Sequence, residues 1–107
     1  MTDVTEIVLT AEELKLLLYL VEVYKERTTD ITEDGIKIFS DEIVQKTWLS
    51  YYQQMTLKKK LQIKGLLQLK YREIPRKLYY KLPVKLVKEY LDARGFTWYT
   101  DHAVFTS

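Results

Sequence analysis

The chain has 107 residues, of which 47% are apolar and 30% charged, with a net charge of +2. This length supports one core, so residues 1–107 are taken as a single domain. There is no cysteine and only one histidine, His102, which excludes disulfides, thiolate chemistry and metal sites built on cysteine or on a histidine pair. No apolar run is long enough to span a bilayer and no signal peptide is recognised, so we expect a soluble, cytoplasmic protein.

Charge is distributed unevenly along the chain. Residues 1–53 carry 5 Lys and Arg against 11 Asp and Glu, whereas residues 54–94 carry 12 against 3. A basic segment of this density predicts an anionic partner, and nucleic acid is the commonest one. The alternative is a bipolar surface that is simply solvated.

The first predicted element is an amphipathic helix over residues 10–27. Thr10 and Glu13 have the spacing of a capping box, in which each side chain bonds the other residue's backbone amide. Two apolar stripes follow at helical spacing, so the helix is expected to pack on its own domain and against a second subunit. The lead-in at residues 6–9 is compatible with a strand or with a packed arm.

A helix-turn-helix is predicted over residues 40–64, after a short strand at residues 36–39. Its first helix covers about 41–47, and Trp48 and Leu49 are expected to fill the gap at the turn. Ser50 is the expected cap of the next helix, and Gly65 has the position of a left-handed C-cap just beyond its end.

The hydrophobic period changes from helical to two after Gly65. This alternation, interrupted by Pro75, predicts a β-hairpin over residues 66–82. Pro83 suits the first position of a final helix over residues 83–94. The aromatic tail that follows is expected to fold back on the body or on a partner chain.

This order of elements is that of a winged helix-turn-helix, an α+β fold in which the hairpin is the wing. Two segments also resemble this family: KLQIKGLLQLKY at 60–71 is similar to the junction between recognition helix and wing, and IPRKLYYKL at 74–82 to the returning strand. The resemblance extends to the winged-helix domains of phage replisome organisers, plasmid replication proteins and small regulators of mobile elements. It implies binding of double-stranded DNA.

The residues expected to contact DNA follow from this arrangement. A helix in the major groove presents its first residues to base edges, and the cations of a wing reach phosphates or the minor groove. The candidates in the third helix are Tyr51, Tyr52, Gln53, Gln54, Thr56, Lys58, Lys59 and Lys60. The candidates in the hairpin are Lys70, Arg72, Arg76 and Lys77.

A purely structural interpretation competes with this one. At least one of Tyr51 and Tyr52 is expected in the core, with Met55, Leu57 and Leu61 completing the buried face. Gln53 and Gln54 have no evident core role. The hairpin cations are equally compatible with a solvated edge that avoids pairing with other sheets.

Two functions remain open at this stage. The first is a sequence-specific regulator or replication accessory protein of a phage, virus or plasmid, which binds DNA as a homodimer through the first helix and the C-terminal tail. The second is a winged-helix inhibitor or adaptor that binds a host or defence protein, for which tyrosines and tryptophans would be the anchors. No catalytic residue, metal or cofactor is expected, because the acidic pairs lie in helix first turns and the 3 glycines stand apart.

Overall fold

The computed structural model describes residues 4–73 and 76–96 of the chain. Within them the protein has an α+β fold in which helices cover one face of an antiparallel sheet. The helices are α1 (Ala11–Glu26), α2 (Ser40–Thr47), α3 (Tyr51–Ile63) and α4 (Val84–Ala93). The strands are β1 (Ile36–Lys37), β2 (Gln68–Glu73) and β3 (Arg76–Lys81).

The sheet has β3 in the centre, in the order β1-β3-β2, and every pair of neighbours is antiparallel. Ile36 and Leu69 lie on either side of Tyr80, which is fully buried. Directly opposed residues share a face, so these side chains define the inner face that packs on the helices. The alternate residues define the outer face, which points away from them.

Helix α1 contacts both α2 and α3. Its Tyr24 hydroxyl donates to the carbonyl of Tyr80 at 3.1 Å and accepts from the amide of Leu82 at 3.0 Å. This buried pair of bonds ties α1 to β3 just before the sheet ends, and burial raises the pKa of Tyr24.

The predicted element boundaries agree closely with the structure. Thr10 and Glu13 form the expected capping box, and Gly65 adopts the expected left-handed conformation with φ +82°. Helix α2 begins at Ser40 instead of Asp41, and β1 is shorter than predicted. The lead-in forms a 3-10 turn over Val4–Glu6, after which Ile7 enters the core, so it packs as an arm.

Two expectations about the start of α3 are wrong. Tyr51, Tyr52 and Met55 are all exposed, so neither tyrosine belongs to the core, whereas Leu57 and Leu61 are buried as expected. Trp48 does not fill the turn between α2 and α3 either: its side chain is 85% exposed, and Leu49 alone is buried there. The predicted contact of the tail concerns residues 97–107, which lie outside the described part of the chain.

Candidate nucleic-acid interface

Helix α3 begins with a second capping box, which the sequence interpretation missed. The Ser50 hydroxyl accepts from the Gln53 amide at 3.1 Å, and the Gln53 side-chain oxygen accepts from the Ser50 amide at 2.9 Å. The Gln53 side-chain nitrogen also donates to Glu12 at 3.2 Å. Gln53, a candidate for base contact, therefore has its side chain engaged at the helix start. The pattern Ser-x-x-Gln was the available signal.

Gln54 does have a core role, contrary to expectation. Its side chain is only 1% exposed, and its amide nitrogen donates to the carbonyls of Ser40 at 3.2 Å and Leu49 at 3.0 Å. These bonds connect the start of α2, the turn and α3. Gln54 therefore has no access to a DNA base in this conformation, and the prediction that it lies on a binding surface is wrong.

Lys58 is also removed from the surface. It is 8% exposed, and its Nζ lies 5.5 Å from the centroid of the Tyr80 ring. Burial lowers its pKa, because the charged ammonium loses solvation, and the aromatic face partly offsets this loss. The side chain joins α3 to the inner face of the sheet and is not placed to reach a phosphate.

The remaining candidates on α3 form one exposed surface. Thr56, Lys59 and Lys60 are exposed, as are the two tyrosines. Tyr51 donates its hydroxyl proton to Asp41, and this hydrogen bond raises the pKa of the phenol. We call this set the α3 surface; its members are Tyr51, Tyr52, Thr56, Lys59 and Lys60.

The exposed apolar residues near the start of α3 are a distinctive feature. Tyr52 is 79% exposed, and Met55 follows it at helical spacing on the same side. Trp48, at the C-cap of α2, has a left-handed backbone conformation with φ 65°, which is unfavourable for a bulky residue. We call Trp48, Tyr51, Tyr52 and Met55 the aromatic cluster.

The hairpin cations lie on the outer face of the sheet. Lys70 is opposite Tyr79 and Arg72 is opposite Lys77, whereas the neighbouring Tyr80 points inward. Arg72 donates to the Asp34 carboxylate at 2.9 Å and 2.5 Å, and this bond raises the pKa of Arg72. The side chain of Arg76, the remaining hairpin candidate, lies outside the described part of the structure.

The predicted site is therefore divided between two surfaces. Lys58 of α3 packs over the inner face at Tyr80, so α3 and the hairpin cations lie on opposite sides of the sheet. Lys59 and Lys60 belong to the first surface, and Lys70, Arg72 and Lys77 to the second. Lys37, which the sequence interpretation did not select, joins the second surface because it pairs with Tyr79 from β1.

Other kinds of site find no support in the described residues. Within residues 4–73 and 76–96 no group of three or more His, Cys, Asp or Glu is placed to hold a metal ion. No helix in the same part of the chain is long and apolar enough to cross a membrane. No family model, curated protein or solved structure matches the chain.

Proposed function

We propose that the protein is a winged helix-turn-helix protein that binds double-stranded DNA, with the α3 surface in the major groove. The observation that carries this proposal is the element order: α1, β1, α2, α3 and a two-stranded hairpin follow one another, with the hairpin's return strand in the centre of the sheet. This is the arrangement expected of a winged helix, whose second helix after the first strand is the recognition helix.

The chemistry of the α3 surface fits this role. Tyr52 and Thr56 bring hydroxyl groups, which can bond base edges, and Lys59 and Lys60 bring charges for phosphates. Gln54 is buried, Gln53 caps the helix and the Tyr51 hydroxyl donates to Asp41, so base reading is assigned to Tyr52 and Thr56.

The biological role proposed is that of a regulator or replication accessory protein of a phage, virus or plasmid. A homodimer would place two α3 helices about one turn of the duplex apart, so its site would be palindromic or repeated. Of the dimer contacts expected from the sequence, helix α1 buries or partly buries its large apolar side chains against the core of its own domain, and residues 97–107 of the C-terminal tail lie outside the described part of the chain.

The salt dependence of duplex binding tests the role of α3. The double variant K59Q/K60Q is compared with K15Q/K25Q, which removes the same charge from α1. Loss of two phosphate contacts lowers the slope of log affinity against log salt concentration by about 2. We expect this decrease for K59Q/K60Q and the wild-type slope for K15Q/K25Q. Equal slopes for the two variants would contradict the proposal.

A second candidate function rests on the aromatic cluster. Exposed tryptophan and tyrosine side chains are frequent anchors of protein interfaces, and Trp48 and Tyr52 are among the most exposed large apolar residues described. In this case the protein is an inhibitor or adaptor that docks on a host or defence protein. Duplex binding would then be weak and independent of sequence, and the variant Y52A would leave it unchanged.

A further inference from the structure

The outer face of the sheet carries a regular array of cations around a tyrosine. Lys70 and Lys37 flank Tyr79 from β2 and β1. On the central strand, Lys77 and Lys81 lie two residues before and after Tyr79 and therefore on the same face. We call this array the basic sheet face; its members are Lys37, Lys70, Arg72, Lys77, Tyr79 and Lys81.

The charges of the basic sheet face are poorly compensated. Within residues 4–73 and 76–96, Arg72 forms an ion pair with Asp34, but Lys37, Lys70, Lys77 and Lys81 form none. Arg72 and Lys77 are directly opposite each other, an arrangement of like charges that destabilises a sheet. An anionic ligand would relieve this repulsion.

Two aromatic rings accompany these charges. Tyr79 is half-buried in the centre of the face. Phe39 continues from β1 in an extended conformation, is 64% exposed, and has the Nζ of Lys37 at 4.9 Å from its ring centroid. Because residues two apart in an extended segment share a side, Phe39 borders the basic sheet face.

Aromatic rings among cations on a sheet match the chemistry of a single nucleic-acid strand. Its phosphates need cations, and its unpaired bases expose faces that stack on aromatic rings. A duplex keeps its base faces stacked internally and leaves Phe39 and Tyr79 without a partner. An acidic peptide would use the cations but gives no reason for the rings.

We propose that the basic sheet face binds single-stranded nucleic acid. Lys37, Lys70, Lys77 and Lys81 hold phosphates, and Phe39 and Tyr79 stack on bases. Asp34 competes with the strand for Arg72, since it occupies the guanidinium in the free protein. This surface lies opposite the side of the sheet on which α3 packs, so the inference goes beyond the proposed function and does not depend on it.

The test uses a fluorescently labelled single-stranded DNA of about 12 nucleotides and measures its binding by fluorescence anisotropy. The variant K70Q/K77Q is compared with K15Q/K25Q, which removes the same charge from α1. We expect K70Q/K77Q to lose about tenfold in affinity and K15Q/K25Q to bind like the wild type. Equal losses in the two variants, or none in K70Q/K77Q, would overturn the proposal.

Two further variants separate stacking and competition from general attraction. F39A should weaken binding while the salt slope stays that of the wild type, because stacking releases no counterions. D34N should tighten binding, because it frees Arg72. If F39A binds like the wild type, or if an unlabelled duplex or polyglutamate displaces the strand as well as an unlabelled strand does, the face is not specific for single strands and the proposal fails.

The variant K77E distinguishes lost binding from lost folding. It places a carboxylate opposite Arg72, so the folded protein should resist urea at least as well as the wild type while its affinity for the strand falls. Unchanged affinity in a stable K77E would count against the proposal. Negative outcomes of these strand-binding experiments would not change the interpretation of the duplex experiment with K59Q/K60Q, because that experiment tests α3.

Discussion

Gln54 is a buried polar residue that connects the start of α2, the following turn and α3. Its amide nitrogen donates to the backbone carbonyls of Ser40, in the first turn of α2, and of Leu49, in the turn before α3. Replacement by leucine keeps the volume roughly constant but removes both hydrogen bonds, of which the one to the Leu49 carbonyl is buried. We expect Q54L to lower the free energy of unfolding by about 1–3 kcal/mol, measured by urea denaturation. A variant as stable as the wild type would contradict this role.

Trp48 combines an unfavourable backbone conformation with an almost fully exposed side chain. Glycine adopts a φ of 65° without the steric cost that a tryptophan incurs. We expect W48G to raise the free energy of unfolding by about 0.5–1 kcal/mol, since little packing is lost. A decrease would show that the indole ring contributes to stability in spite of its exposure. An increase in the free energy of unfolding of W48G would show that Trp48 lowers the stability of the fold. This result would support a role of Trp48 in binding.

The exposed and buried sides of α3 explain why sequence reasoning misplaced residues there. Apolar side chains lie on the solvent side, at Tyr52 and Met55, whereas polar side chains are buried at Gln54 and Lys58. Hydrophobic periodicity therefore indicates the wrong face for this half of the helix. The contacts of these buried polar groups include partners that are distant in sequence, such as Ser40 for Gln54 and Tyr80 for Lys58, and no local pattern reveals those partners.

At the scale of elements, two ion pairs connect α1 to α2 and to the end of α3. Glu13 is buried and accepts from Lys64 at 2.8 Å, and Glu42 of α2 accepts from Arg27 at 2.5 Å. Burial opposes ionisation of Glu13, but hydrogen bonds from Lys64 and Thr10 outweigh it and lower its pKa. The hydrogen bond from Arg27 lowers the pKa of Glu42.

These lowered pKa values predict acid sensitivity. Each of these carboxylates has a lower pKa in the folded than in the unfolded state, where the pKa is about 4.5. The carboxylate therefore stabilises the fold fully at pH values above 4.5. This stabilisation is lost as the pH falls through the pKa of the folded state. We expect urea midpoints to fall between about pH 5 and pH 3. E13Q should be less stable than the wild type at neutral pH, and its urea midpoint should fall less than that of the wild type on acidification. An equal loss in both proteins would exclude Glu13 as a contributor.

The elements themselves were largely predictable because their signals are local. The capping box at Thr10, the change of period after Gly65 and the proline before α4 each act within a few residues. The spatial grouping of the cations was not predictable. It depends on the register of β1 against β3, which brings Lys37 beside Tyr79 from a distant part of the chain.

At the scale of the whole molecule, the charge asymmetry has two consequences. Part of it serves the fold, since Lys64 and Arg72 of the basic segment pair with Glu13 and Asp34 of the acidic one. Cations of the basic segment also form two separate basic surfaces, with Lys59 and Lys60 on α3 and Lys70, Arg72, Lys77 and Lys81 on the outer face of the sheet. The proposed interpretation is a protein that engages nucleic acid from both surfaces, with the duplex on α3.

Double-stranded DNA binding by α3 is the central claim, and selection from a mixed pool of AT-rich and GC-rich duplexes tests it most directly. Affinity would be measured over a salt titration, with the mass determined by light scattering in the same buffer. The account predicts tight binding by a dimer that weakens with salt and that selects particular duplexes. Absent or indiscriminate duplex binding would contradict it, and the aromatic cluster would then direct the search toward a protein partner.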